Sequence, residues 1–372
     1  MARVTTTTSE FGAPDDLRIV FYGVRGSLPA PARGSEVEAR LARILHRASE
    51  AGVRFKSPED ALHWLRATLP FHERSHYGGD TTSILVRCGE QIVIVDSGTG
   101  IRRLGADLMP ELIATGRLDA HLLFTHMHLD HVVGFPFFAP LFAPRDRMAV
   151  RLRLHGGSAW ANDLQRVLSL TVSAPLFPVE LDKLRQEAAS VEYEYVYDRL
   201  RRPLGEWSGV ELYVRRLHHP NETYGYRLTH NNRFFVVATD TEPYAGPDRA
   251  LADLAAHADV LYVDCQFDRR QYEGDYDGVS RVGWGHGFAE WCGEYARAAG
   301  ATLVVLGHHD PSASCDRIHE IGEIVRKYHP QVVVGFDGLE VRVTETEVIA
   351  MEAGERGGDL RVPRAQSRAG KR

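Results

Sequence analysis

Alternating apolar and polar positions mark a series of short extended runs along the chain, most of them ending in glycine or a polar turn. They are LRIVFYG (17–23), SILVRC (83–88), QIVIVD (91–96), HLLFTH (121–126), VRLRLH (150–155), VELYVRRL (210–217), YGYRLTH (224–230) and RFFVVATD (233–240). Their length and their content of β-branched and aromatic residues predict strands. The pattern changes after about residue 249. Helical periodicity near 249–258, 288–299 and 316–327 then alternates with the strands VLYVD (260–264), TLVVLG (302–307) and QVVVGF (331–336). This is too many strands for one sheet, so the order predicts an α/β layered protein with two sheets.

Residues 35–69 interrupt the strand pattern with an inserted helical pair. Ser35-Glu36-Val37-Glu38 reads as a capping box, and Ser57-Pro58-Glu59-Asp60 as an N-cap followed by proline and two first-turn acids. The insertion carries no obvious chemistry of its own, so a packing or homodimerisation element is preferred to an active-site lid. Residues 1–16 and 354–372 lack hydrophobic periodicity and are expected to be disordered, leaving one domain over 17–353. No internal repeat is visible.

Composition narrows the partners. With 44% hydrophobic and 25% charged residues over 372 positions, the chain can bury a large core without staples. A formal net charge of −6 lacks the basic excess of a protein that wraps long nucleic acid, and no basic clamp stands out, so a small anionic partner is expected. The four cysteines form no C-x-x-C pair, which argues against a disulfide framework or thiolate zinc site and for a reducing cytoplasm. No apolar stretch is long enough for a membrane span, so no membrane partner is expected.

The chemistry concentrates at THMHLDH (125–131). His126, His128, Asp130 and His131 supply the nitrogen and oxygen ligands that bind borderline-hard divalent cations. A lone histidine is more often structural, but four such residues in six positions make that reading poor. If the strand ends at His126, His126 and His128 can reach one cation while Asp130 and His131 turn towards a second. Four residues cannot complete two sites, so further ligands are expected at later strand ends. The candidates are His218-His219-Pro220, Asp240 and His308-His309-Asp310-Pro311.

Taken together, THMHLDH, VIVDSGTG (93–100) and ATDTE (238–242) resemble the metallo-β-lactamase-fold hydrolases over roughly residues 17–343. GVRGSLPAP (23–31), YGGDTTS (77–83), HHPNETYGYRL (218–228), GWGHG (283–287) and LGHHDP (306–311) resemble recurrent segments of that superfamily's phosphodiesterase branch, including cyclic nucleotide phosphodiesterases. The resemblance implies a four-layer αββα sandwich. It further implies that His126, His128 and His219 hold one metal, that Asp130, His131 and His308 hold the other, and that Asp240 bridges them. His219 is preferred to His218 because it directly precedes proline, and His308 to His309 because it ends a strand. Asp96 is expected to orient a ligand histidine, though a plain turn aspartate fits equally.

The same resemblance implies two divalent ions, Zn²⁺ or Mn²⁺ with Fe also suited, and a bridging hydroxide that attacks a small or cyclic, nucleotide-like phosphodiester. Asp130 would help hold the leaving side of the reaction, and His286 would donate the leaving-group proton or contact the phosphate. At Gly287 the chain departs from the hydroxyl residue of relatives. Arg25 is a candidate phosphate contact or a structural ion pair, and His309 with Asp310 a candidate pocket wall. Asp80 stands where relatives often have asparagine. Phe135, Phe137 and Phe138 read as core or pocket wall. Competing readings are a lactone, β-lactam or thioester hydrolase on the same site, an RNA- or DNA-end nuclease, and a non-hydrolytic scaffold or di-iron protein.

Overall fold

The computed structural model describes residues 16–364, apart from 161–162, 206–208, 244–247, 353 and 355–357. Two sheets pack face to face. In spatial order the first contains strands Leu360–Pro363, Glu347–Ala350, Glu340–Val343, Leu17–Gly23, Ser83–Cys88, Gln91–Val95, Arg117–Leu123, Ala149–Gly156 and Ser190–Tyr195. The second contains Val332–Val334, Leu303–Gly307, Val260–Asp264, Arg233–Ala238, Thr223–His230, Val210–Leu217 and Arg201–Pro203. The strands that carry the site pair in parallel on each side, Gln91–Val95 with Arg117–Leu123 and Arg233–Ala238 with Val260–Asp264 with Leu303–Gly307. Their C-terminal ends therefore collect on one edge.

Burial on both faces explains why these strands read as apolar runs. In Gln91–Val95, Val93 and Val95 point between the sheets, while Ile92 and Ile94 join the outer core against helix Ile101–Thr115. Helices Arg249–Ala255, Ala289–Ala299 and Cys315–Arg326 contribute Leu251, Leu254, Cys292, Ala296, Ile318 and Val325 to the core of the second sheet. The layers are helix, sheet, sheet, helix. No helix among the described residues is long and apolar enough to cross a membrane.

Several expectations need correction. Helix Ile101–Thr115 escapes the sequence pattern because Gly105 and Pro110 fall inside it. The helical pair is present as Gly34–Glu50 and Pro58–Thr68, and Ser57 Oγ does accept from Asp60 N at 3.2 Å. The first helix, however, is capped at Arg33, two residues before the serine expected to cap it. Glu36 Oε2 accepts from Arg33 N at 3.0 Å, so the acid half of a capping box forms without its serine half. Nor is the C-terminal region uniformly disordered from residue 354. Leu360–Pro363 adds an edge strand to the first sheet, with Val362 buried and Arg364 gripping both Asp259 oxygens at 2.7 and 3.0 Å. The rest of the disorder expectation falls almost wholly on residues 1–15, 355–357 and 365–372, outside the described residues.

Candidate metal centre

The candidate metal-binding loop begins earlier than the sequence pattern predicts. Strand Arg117–Leu123 ends three residues before His126. Phe124 N still pairs with His155 O, and Thr125 N then turns to donate to Asp96 Oδ1 at 2.8 Å. Three other corners aim side chains at the same edge. Asp96, Asp240 and His308 each follow a strand with φ of 58°, 53° and 53°, a left-handed conformation that costs a non-glycine residue about 1–2 kcal/mol. The GVRGS loop lies against His308 and Asp130. A Cβ added at Gly26 would come within 2.3 Å of His308 Nδ1, and the next residue donates from Ser27 N to Asp130 Oδ2 at 2.7 Å.

These elements bring nitrogen and oxygen atoms into two adjoining groups. His126, His128 and His219 form one and Asp130, His131 and His308 the other, while Asp240 completes two overlapping clusters, one with His126 and His131 and one with Asp264, His286 and His308. Asp240 lies between them, with Oδ1 3.8 Å from His126 Nε2 and 3.3 Å from His308 Nε2, and Oδ2 3.3 Å from His131 Nε2. Asp130 Oδ2 is 3.2 Å from both His131 Nε2 and His308 Nε2, and His219 Nε2 is 3.3 Å from His128 Nδ1. Ligands about 2.0–2.1 Å from a tetrahedral ion sit roughly 3.3 Å apart, so these spacings suit shared cations. His126 Nε2 is buried without a hydrogen-bond partner, as a nitrogen reserved for a metal is. On these observations the donor set fits divalent cations.

The far sides of the rings are fixed. His131 Nδ1 meets Asp96 Oδ2 at 2.8 Å, and His219 Nδ1 meets Gly285 O at 3.0 Å, which turns each Nε2 into the site. Electrostatics follow from this crowding. Burial would raise the Asp240 carboxyl, but His308, His131 and His126 hold it well below its usual range. Burial would likewise lower His308, yet Asp240, Asp264 and Asp130 push it up to about 9. Only His131 and His308 are pushed towards the protonated form, while burial lowers His126, His128 and His219, so a cation held by Asp130, His131 and His308 would displace protons from that group.

A second device adjoins the first. His286 Nδ1 contacts Asp264 Oδ2 at 2.7 Å and stands 3.9 Å from Asp240 Oδ1. Asp264 is fully buried. The sequence reading passed over it, although it ends VLYVD as Asp96 ends QIVIVD, and the same strand-end rule finds it. The GWGHG loop is shaped to hold this histidine. Glu242 Oε2 accepts from Gly283 N and Gly285 N at 2.9 and 3.2 Å. Gly285 has φ 90°, and a Cβ there would lie 2.0 Å from His219 Nδ1. Gly287 is equally constrained, since a Cβ would lie 2.4 Å from the Asp264 carbonyl. A side chain at this position would require that carbonyl to move.

Some sequence candidates are placed elsewhere. His218 turns its Nδ1 to Glu242 O at 3.2 Å. His309, expected to touch substrate, is buried with Nε2 on Gly335 O at 2.9 Å. Phe135 and Phe138 are fully buried in the outer core, and Phe137 packs on Phe177, so none walls the site. Asp80 accepts from Thr99 Oγ1 at 2.8 Å. Arg25 also fails as a phosphate contact at the metals. It is 1% exposed and donates to the carbonyls of Gly78, Asp310 and Ala313 at 2.9, 2.9 and 3.3 Å. An Arg25→Ala change strips three half-buried carbonyls of their donor, and is expected to cost about 3 kcal/mol, read as a lower Tm in thermal melts.

Residues 91–309 match the family model described as the Beta-lactamase superfamily domain, more than half of the chain. The chain belongs to that superfamily. Two superfamily relatives are enzymes named ribonuclease Z. The one from Bradyrhizobium sp. (strain ORS 278) is 36% identical over 107 residues, covering 28% of this chain and 31% of the relative. The one from Haloarcula marismortui is 24% identical over 302 residues, covering 71% of this chain and 91% of the relative. The fold is shared with the metallo-beta-lactamase fold protein YhfI from Bacillus subtilis, at 16% identity and a TM-score of 0.57, covering 88% of this chain and all of that one.

Proposed function

We propose that this superfamily member is a metal-dependent phosphodiester hydrolase. In this reading His126, His128 and His219 hold one divalent cation and Asp130, His131 and His308 a second, with Asp240 shared, and Zn²⁺ or Mn²⁺ suits the donor set. The observation that carries it is the Asp240 carboxylate reaching histidines of both groups, beside the His286–Asp264 pair. Bound there, the cations would supply a water of lowered pKa and neutralise charge on a phosphoryl group. Everything else falls to the chain. Asp96 and the Gly285 carbonyl hold His131 and His219 in one orientation. Ser27 N fixes Asp130. His286, with Nδ1 against the buried Asp264, presents Nε2 as the atom that holds a proton for the departing oxygen.

A phosphodiester is favoured over a lactone or β-lactam by the relatives named ribonuclease Z, and a proton held at His286 would serve its departing alkoxide. A nuclease reading is favoured by the relatives named ribonuclease Z, and differs only in substrate size. The test is a substrate panel with metal-loaded protein: bis(p-nitrophenyl) phosphate, cyclic nucleotides, an RNA with a 3′ extension, a lactone and a β-lactam. Metal-dependent turnover of phosphodiesters is expected. Turnover confined to the lactone or β-lactam, with metal bound, sinks the proposal.

A further inference from the structure

The inserted helix Gly34–Glu50 does not cover the core. Of its residues only Ala48 is buried, and its arginines gather along one side. That side walls a cavity of about 760 Å³ whose opposite wall is Pro311–Asp316, with Arg25 and the loop Pro29–Pro31 also lining it. Arg33, Arg40, Arg43 and His76 line the same space, against the carboxylates of Glu36 and Asp316. The acids do not cancel the field. Glu36 spends an oxygen on Arg33 N, and no ion pair among the described residues engages Arg33, Arg40 or Arg43. Arg40 Nη2 reaches only the weak acceptor Cys315 Sγ at 3.2 Å, and its Nε is buried without a partner. His76 senses the result. After burial, the Arg25 and Arg40 guanidinium groups are what lower its pKa, against the opposing pull of Glu36.

We propose that this cleft is a second phosphate-binding site, which takes a phosphate group other than the one cleaved. The inference rests on the phosphodiesterase reading above. Unpaired guanidinium groups around a half-open space are the donors that phosphate oxygens match, and leaving them together without a ligand is electrostatically costly. Position supports a link to catalysis. Arg25 on the cavity wall and Ser27, whose amide holds Asp130, are two residues apart, so one loop roughly 7 Å long separates the cleft from the metal centre. The chemistry recognised is a phosphate mono- or diester. Its source is either a small polyphosphate or a further backbone phosphate of an oligonucleotide. The inserted helix, which bears three of the arginines or their flank, would then act in substrate recognition.

The experiment compares wild type with Arg40→Glu/Arg43→Glu and with Arg33→Glu/Arg43→Glu; the latter pair is exposed and leaves the fold untouched. Pyrophosphate binding is followed by calorimetry, and a fluorescein-labelled decauridylate by anisotropy between 50 and 200 mM KCl. Wild type is expected to take one more equivalent of pyrophosphate than either variant, or to bind decauridylate at least tenfold more tightly with a salt slope steeper by about 1–2. Loss of pyrophosphate alone assigns the site to small polyphosphates, and loss of decauridylate assigns it to a nucleic-acid backbone. Unchanged binding of both probes in folded variants overturns the proposal. Binding needs no turnover, so a metal centre inactive on every phosphodiester leaves this result readable and fails separately.

Discussion

An Asp240→Ala variant is expected to lose on the order of 10⁴-fold in phosphodiester turnover and to retain less than the full complement of metal. Asp240 is the one carboxylate of the candidate centre within 4 Å of histidines from both groups, at 3.8 Å from His126 and 3.3 Å from His131 and His308. Alanine leaves those three buried nitrogens facing one another without the negative charge that offsets two cations. Asp240→Asn separates shape from charge. It keeps the side-chain volume and one acceptor oxygen, so its loss should be smaller, although still severe. Metal content by plasma mass spectrometry, alongside kcat, makes the check. A variant that keeps both metals and wild-type turnover removes Asp240 from the centre and the mechanism with it.

The second large effect concerns the proton. Replacing His286 with alanine should lower kcat about 10²–10³-fold towards a substrate with an alkyl or ribose leaving group, while metal content stays at the wild-type level. For bis(p-nitrophenyl) phosphate the loss should be much smaller, because that aryl oxide departs without a proton. Asp264→Asn should weaken the same step through His286. It touches the imidazole at 2.7 Å, where the Asp264 carboxylate, accepting from Nδ1–H, would orient the ring so that a proton on Nε2 faces the leaving oxygen. Two groups working as one unit are not additive, so the double variant should be little worse than His286→Ala alone. An equal loss with both leaving groups points instead to a phosphate contact, and no loss with either removes His286 from the reaction.

Much of the site was legible in the sequence because its ligands are local or stand at strand ends. THMHLDH compresses four donors into six residues, and Asp240 and His308 follow apolar strands that announce themselves. The choice between adjacent histidines was harder from residues alone, and geometry separates them. His219 and His308 face the centre, while His218 and His309 bind carbonyls of Glu242 and Gly335. What escaped depended on contacts distant in sequence. Asp264 matters through His286, 22 residues away, and Arg25 is structural through carbonyls 53, 285 and 288 residues away. Net charge is likewise blind to local placement. A balance of −6 averages over the chain and hides arginines brought to one cleft by the inserted helix.

The left-handed corners at Asp96, Asp240 and His308 bear on how such a protein ages under evolution. At each corner the backbone favours glycine, whereas the chemistry needs a carboxylate or an imidazole, so the mutation that relaxes the chain is also the one that erases a working group. A lineage released from the need to hydrolyse its substrate should therefore lose these three residues early, while both sheets persist. Relatives that retain the architecture with glycine at these positions would be fossils of the fold, recognisable as inactive before any assay.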